Sequence, residues 1–245
     1  MPKSFSARVF VALMVISGLL LLGDAVLKAK QVPTAKFLAF LIVACVAARL
    51  KIKLPGVTGT MSVNLPFILM AAAEMNAAEA LAVGFISTFI QCLPRGKKFN
   101  LVQVAFNCST ITLAVAATRL IYGAPSVASA ISSPSLLLAV AAAGYALVNT
   151  IPMAIVIGLT EPVSVWRTWL EMIQLSFPYL VASAGIAGLT LTLTQEIGWQ
   201  VPLAVLPIMA GIFLSYRRYF AATVTSEAAK VRVESSNRAI AGANA

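Results

Sequence analysis

The sequence predicts an all-α fold: a polytopic transmembrane helix bundle of about six to eight membrane segments, with one amphipathic helix lying in the interface. Three observations carry this expectation. The 245 residues are 60% hydrophobic and 11% charged, whereas soluble domains run at about 45–50% apolar and about 25% charged. The apolar residues gather into runs approaching the ~20 that cross ~30 Å of hydrocarbon. Nearly all of the charges sit beside those runs, as orientation signals do. A net charge of +10 placed this way marks loops at a membrane surface, so no nucleic-acid partner is expected.

The segments follow in order. Lys3 and Arg8 precede a run over 9–27. That run exceeds a signal peptide's 7–15-residue apolar region and is followed by no A-x-A site, so it reads as a retained first span. The second segment, 34–50, spaces Ala44 and Ala48 for close helix packing. Segments three and four, 63–75 and 77–93, form a pair with basic clusters at both ends. A turn, Pro55-Gly56-Val57-Thr58-Gly59, precedes them, and Glu74, Asn76 and Glu79 break them. Each is short for a span, and short Gly/Pro-interrupted segments are where membrane proteins often place binding sites. Segment five is 100–122 and segment six 135–159. The stretch 165–174 places Trp166, Trp169 and Ile173 on one face and Arg167 with Glu171 on another. It is the expected interfacial helix. Segment seven is 175–194 and segment eight 200–217. The membrane domain is expected over 1–220 and a polar cytoplasmic tail over 221–245.

Lys and Arg set the orientation. The uncharged loop 126–135 is assigned outside, and Arg49, Lys51, Lys53, Arg95, Lys97, Lys98, Arg217 and Arg218 inside. Both termini are then cytoplasmic. Lys28, Lys30, Lys36 and Arg119 fall on the opposite side. Eight crossings satisfy this pattern, and so do six crossings with a re-entrant hairpin over 63–93.

The intramembrane polar residues are the candidate chemistry, because such groups are costly in lipid and commonly functional. Glu74 and Glu79 flank the turn between segments three and four, at the depth of Arg119, and a Glu74–Arg119 or Glu79–Arg119 pair is possible. Asn107 lies about 10 Å inside segment five and Asn149 about 15 Å inside segment six, at ~1.5 Å per residue. A pocket bounded by segments three to six, or a direct Asn107–Asn149 bond, would satisfy both amides. Ser62 and Asn64 stand at the mouth of segment three, before Pro66. These seven residues are the candidate ligand-binding set.

The chain contains no histidine, which removes His ligands, His bases and Ser-His triads. Cys45, Cys92 and Cys108 lie in apolar segments and read as small buried hydrophobes. The eight acids form no spaced catalytic cluster. No enzyme activity, metal or cofactor is expected.

Two resemblances add to this reading. The stretch GTMSVNLPFILMAAAEMNAAEALAVGFISTFIQCL resembles the membrane region found ahead of HD-GYP phosphodiesterase domains in some bacteria. VNTIPMAIVIGLTEPVSVWRTW, SFPYLVASAGIAGL and GWQVPLAVLPIMAGIFLSYRRYF resemble the same region in the same order. The resemblance covers about 36–220. It implies a sensor-type domain of the bacterial cytoplasmic (inner) membrane. Its partners would be the lipid bilayer, a small-molecule or membrane-derived ligand, and a cytoplasmic or membrane protein. Those proteins continue into a His-Asp hydrolase, and this chain has no His-Asp motif, so a stand-alone sensor or scaffold is expected. The first stretch also looks like the substrate-binding subunits of energy-coupling-factor vitamin transporters, with Gly59, Ser62, Leu65 and Pro66 at the matching positions. That resemblance implies a transport subunit for a small metabolite. Its Gly/Ser loop normally faces outside, whereas Arg49, Lys51 and Lys53 assign this one inside.

The orientation makes a direct prediction. Reporter fusions at Ser126 and Ala245 report opposite sides of the membrane, with Ala245 cytoplasmic. A non-cytoplasmic signal from the Ala245 fusion contradicts the assignment.

Overall fold

The structure is a computed structural model that describes residues 5–29, 35–53, 60–94, 100–215 and 218–219. The Pro55–Gly59 turn, the basic cluster at 95–98 and the tail read over 221–245 lie outside the described residues. The elements are α1 (Phe5–Leu27), α2 (Ala35–Arg49), β1 (Lys51–Lys53), β2 (Thr60–Ser62), α3 (Leu65–Glu74) and α4 (Ala77–Cys92). They continue with α5 (Leu101–Tyr122), α6 (Pro125–Ala130), α7 (Pro134–Thr160), α8 (Val165–Ile197) and α9 (Val201–Ser215).

The architecture is an all-α bundle, and four of its helices are long and apolar enough to cross a membrane: α1, α5, α7 and α8. The chain is a membrane protein. Among the described residues these four are fewer than the six to eight membrane segments expected, because the remaining apolar segments form shorter helices. α2 has 15 residues, α3 has 10 and α4 has 16. At ~1.5 Å per residue α3 is about 15 Å long, half of the ~30 Å hydrocarbon core. The stretch over 63–93 therefore does not supply two full crossings.

A second correction concerns 165–174. It is not a separate interfacial helix. No glycine or proline interrupts it, and it forms the first turns of α8, a continuous 33-residue helix with Pro178 inside. Proline removes one helix bond and is tolerated in membrane helices where nearby hydroxyls occupy backbone carbonyls. Pro178 takes the helix donor from Gln174 O, and the nearby Ser176 hydroxyl bonds a different carbonyl, Met172 O, at 2.8 Å. Arg167 and Glu171 do pair across one turn, at 3.1 Å on the exposed face.

A two-stranded antiparallel ribbon precedes α3, with Lys51 opposite Ser62 and Lys53 opposite Thr60. The chain thus turns back on itself between α2 and α3. We call the end of the bundle beside this turn the ribbon end, and the opposite one the Arg119 end.

α3 sits at the centre. Its first eight residues are all buried, and it touches α2, α4, α5, α7 and α8. Phe67, Leu69 and Met70 are fully enclosed together with Phe40 and Leu138. In lipid this burial is not driven by the hydrophobic effect, because acyl chains are as apolar as leucine. The driving constraint is the backbone. A half-length helix ends inside the bilayer, and its free N–H and C=O groups need protein partners.

The C-terminal end of α3 receives a cation. Arg119 of α5 donates to Ala72 O at 2.9 Å and to Met75 O. Lys36 at the start of α2 pairs with Glu74. Neither Glu74–Arg119 nor Glu79–Arg119 forms. The guanidinium goes instead to carbonyls that have no helix partner, and a cation is favoured at a helix C-terminus. Asn76 then starts α4, its side chain accepting the Glu79 N–H at 2.9 Å, with Glu79 in the acid-favouring first turn. At the ribbon end Arg49 closes α4 in the same manner, donating to Ile90 O at 3.2 Å and Leu93 O at 3.5 Å.

α1 lies at the periphery and packs on α5 through small residues. A Cβ on Gly18 would stand 2.5 Å from Ser109 Cβ, so only glycine allows this approach. Leu13, Ile16 and Leu20 point outward on the same helix.

Arg119→Met keeps the aliphatic stem and deletes the cap. Leaving buried carbonyls unpaired is expected to cost about 2 kcal/mol, read as a lower midpoint in a detergent-unfolding titration. A midpoint equal to the wild type contradicts the cap.

Candidate functional site

Because α3 fills only the Arg119 half of the bundle, the space between its N-terminus and the ribbon end must be filled by other groups or remain open. It remains open. A cavity of about 280 Å³ lies there, walled by the start of α3 and by α4, α5, α7 and α8.

Each wall contributes polar side chains three or four residues apart, and therefore on one helix face. α4 gives Thr88 and Gln91, α5 gives Asn107 and Thr110, α7 gives Tyr145 and Asn149, and α8 gives Ser176 and Tyr179. Ile68, Ile111, Met153 and Met172 supply the apolar surface between them. Burial grades along the cavity. Asn64, Thr88, Thr110, Tyr145 and Tyr179 are buried, whereas Gln91, Asn107, Asn149 and Met172 are half-buried. The deep end is thus beneath α3, and the more accessible end faces the ribbon end.

At the deep end the α3 N-terminus is tied down by a chain of hydrogen bonds. Ser62 Oγ donates to Asn64 Oδ1 at 2.6 Å, Asn64 Nδ2 donates to Ser87 Oγ at 3.3 Å, and Ser87 Oγ donates to Gly84 O at 3.3 Å. Asn64 occupies the N-cap position without capping. The Leu65 N–H donates instead to the Tyr179 hydroxyl at 3.1 Å, 114 residues away in sequence. Pro66, which has no N–H to satisfy, follows in the first turn.

The seven sequence-derived candidates fall into two groups. Ser62, Asn64, Asn107 and Asn149 line the cavity. Glu74, Glu79 and Arg119 stand at the other end of α3, about one half-helix length (~15 Å) away, and make the structural contacts described above. Asn107 and Asn149 do not bond to each other. Asn107 Nδ2 donates to Cys92 Sγ at 3.6 Å, and Asn149 makes no side-chain hydrogen bond among the described residues. Thr88, Gln91, Thr110, Tyr145, Thr150, Ser176 and Tyr179 are the polar lining residues that the sequence reading did not single out. Their signal was the repeated i, i+3 or i, i+4 spacing of polar residues within four separate apolar helices.

A second, larger concavity of about 500 Å³ lies at the Arg119 end between α1, α4 and α5. Its polar groups are already committed. Lys28 pairs with Asp24 at 2.8 Å, Asn76 caps α4, and Arg119 caps α3. The cavity beneath α3 offers free amides and hydroxyls, and on that ground it is the candidate site. Among the described residues no three His, Cys, Asp or Glu side chains come together as a metal set.

Compared with known proteins, the chain matches no protein-family description, no curated protein and no solved structure.

Tyr179→Phe removes the acceptor for the Leu65 N–H. The buried donor left unpaired is expected to cost about 1–3 kcal/mol, and amide exchange at the start of α3 accelerates with it. Unchanged exchange across 65–70 contradicts the Tyr179 contact.

Proposed function

We propose that this chain is a sensor domain of the bacterial inner membrane that binds a small molecule in the cavity beneath α3. The observation that carries the reading is the cavity's lining. Four helices bring amides and hydroxyls to one space, and among the described residues Thr88, Thr110 and Asn149 make no side-chain hydrogen bond there. Such groups are costly in a membrane unless something occupies them. Binding sites at the ends of interrupted helices near mid-membrane are a recurrent solution of membrane proteins.

The route from ligand to output runs through α8. One face of this helix lines the cavity with Met172, Ser176 and Tyr179, and its last turn leads through Gly198 to α9. A ligand that moves Tyr179 changes the hold on Leu65 and the position of α8 together. In this reading both termini are cytoplasmic, and the tail over 221–245 delivers the signal to a partner protein. The resemblance to the regions that precede HD-GYP domains supports this assignment. No catalytic role is proposed, because the cavity lining has no carboxylate to act as acid or base.

A transport subunit is the second reading, favoured by the half-helix and cavity arrangement itself. The two diverge in one assay. A transport subunit moves its ligand across proteoliposomes when its partner chains are supplied, and a sensor does not.

Ser176→Phe places a ring in the cavity from a residue that is half-buried. Protein purified in lipid nanodiscs should release a small molecule on denaturation, detected by mass spectrometry. The Ser176→Phe protein should release none while its unfolding temperature stays within a few degrees of wild type. Equal release from both proteins removes the cavity from consideration.

A further inference from the structure

The cavity's chemistry narrows what it takes; this inference rests on the binding reading above. The lining contains no Asp, Glu, Lys or Arg, and the chain has no His. A bound ion would therefore be buried without a counter-charge, which is strongly unfavourable. The N-terminus of α3 adds a partial positive charge at the deep end. That end repels cations and attracts electron-rich oxygen.

Two threonines mark where such an oxygen would sit. Helical threonines ordinarily fold their hydroxyl onto the carbonyl one turn back. Thr112, Thr118, Thr150, Thr190 and Thr194 all do so, at 2.6–2.9 Å. Thr88 and Thr110 do not. Both are buried, at 4% and 1% exposure, and both hydroxyls lack a hydrogen-bond partner among the described residues. Both residues line the cavity, from α4 and α5. Both share the cavity lining with Leu65, the first residue of α3, and their two unspent donors would be satisfied by an acceptor oxygen reaching them. The half-buried amides of Gln91, Asn107 and Asn149 line the remaining length, and each can donate and accept.

We propose that the cavity binds an uncharged small molecule bearing a carbonyl-type oxygen. The oxygen is held by Thr88 and Thr110 beneath α3, and the rest of the molecule lies along the amide-lined approach. A volume of 280 Å³ corresponds to about nine waters at ~30 Å³ each, so the molecule is compact.

Cys92 in the lining provides the test, using the native protein in nanodiscs. Three methanethiosulfonate reagents of similar size are compared: hydroxyethyl (neutral), sulfonatoethyl (anionic) and trimethylammonium-ethyl (cationic). Modification of each cysteine is followed by peptide mass spectrometry, and rates are normalised to a free thiol. The neutral reagent should modify Cys92 faster than the cationic one by about tenfold, with Cys108 unreactive. Pentanamide, pentanoate and pentylamine are then compared as competitors. Pentanamide should slow modification of Cys92, and the charged homologues should not. In the Thr88→Val/Thr110→Val double variant this protection should weaken by about tenfold, with no loss of thermal stability, because the deleted hydroxyls had no partner. Protection by a charged homologue, no protection by pentanamide, or protection that survives the double substitution overturns the assignment. If none of the three reagents reaches Cys92, the binding cavity itself is wrong.

Discussion

A helix of ten residues that ends inside a membrane protein must have both ends satisfied by other parts of the chain. That requirement organises this molecule. α5 supplies Arg119 to the C-terminal carbonyls of α3, and α8 supplies Tyr179 to its first N–H. Neither contact is local. Each fixes the rotation and depth of a long helix relative to the central one. The side chains that look most like chemistry in the apolar sequence, Glu74 and Arg119, are used here to close a half-helix. Three of the four basic residues that fall on the side opposite the others have the same explanation, and the fourth, Lys30, lies outside the described residues. Lys36 meets Glu74, Lys28 meets Asp24, and Arg119 meets backbone. Cations held by partners are less free to act as orientation signals.

The cavity follows from the same constraint. A ten-residue helix occupies about half of the hydrocarbon thickness, and the long helices around it span the rest. Where α3 stops, α4, α5, α7 and α8 are held apart by its bulk above. The polar faces of these four helices then line the space left below. Tyr179 belongs to both features, since it caps α3 and lines the cavity. Structure and candidate site are therefore not separable at this residue.

The helical character of the fold, and the unusual status of residues 63–93, were legible because they rest on run length and composition. The span count was not. Apolar runs of similar length in the sequence became helices of 10, 15, 16 and 33 residues. The division between 165–174 and 175–194 vanished, because both stretches belong to one helix with Pro178 inside it. The partner of Arg119 was misread because a sequence displays carboxylates and hides carbonyls. Orphan carbonyls appear only once a helix is known to stop. The cap of α3 is hidden in the sequence for a related reason. Asn64 has the right type and place, but a tyrosine from α8 arrives first and the asparagine turns to Ser62 and Ser87. Asn107 and Asn149 were visible as isolated amides in apolar runs. Thr88 and Thr110 were not, because threonine is ordinarily self-satisfied in a helix and only the structure reveals which ones are not.

The most direct test of this account is an experimental density map of the protein in lipid nanodiscs, read in the space between Leu65 and the ribbon end. The account requires α3 to begin at mid-depth with Tyr179 against Leu65. It also requires non-protein density within reach of Thr88 and Thr110. A full-length third helix, or a bundle collapsed around α3 with that space filled by side chains, would contradict it.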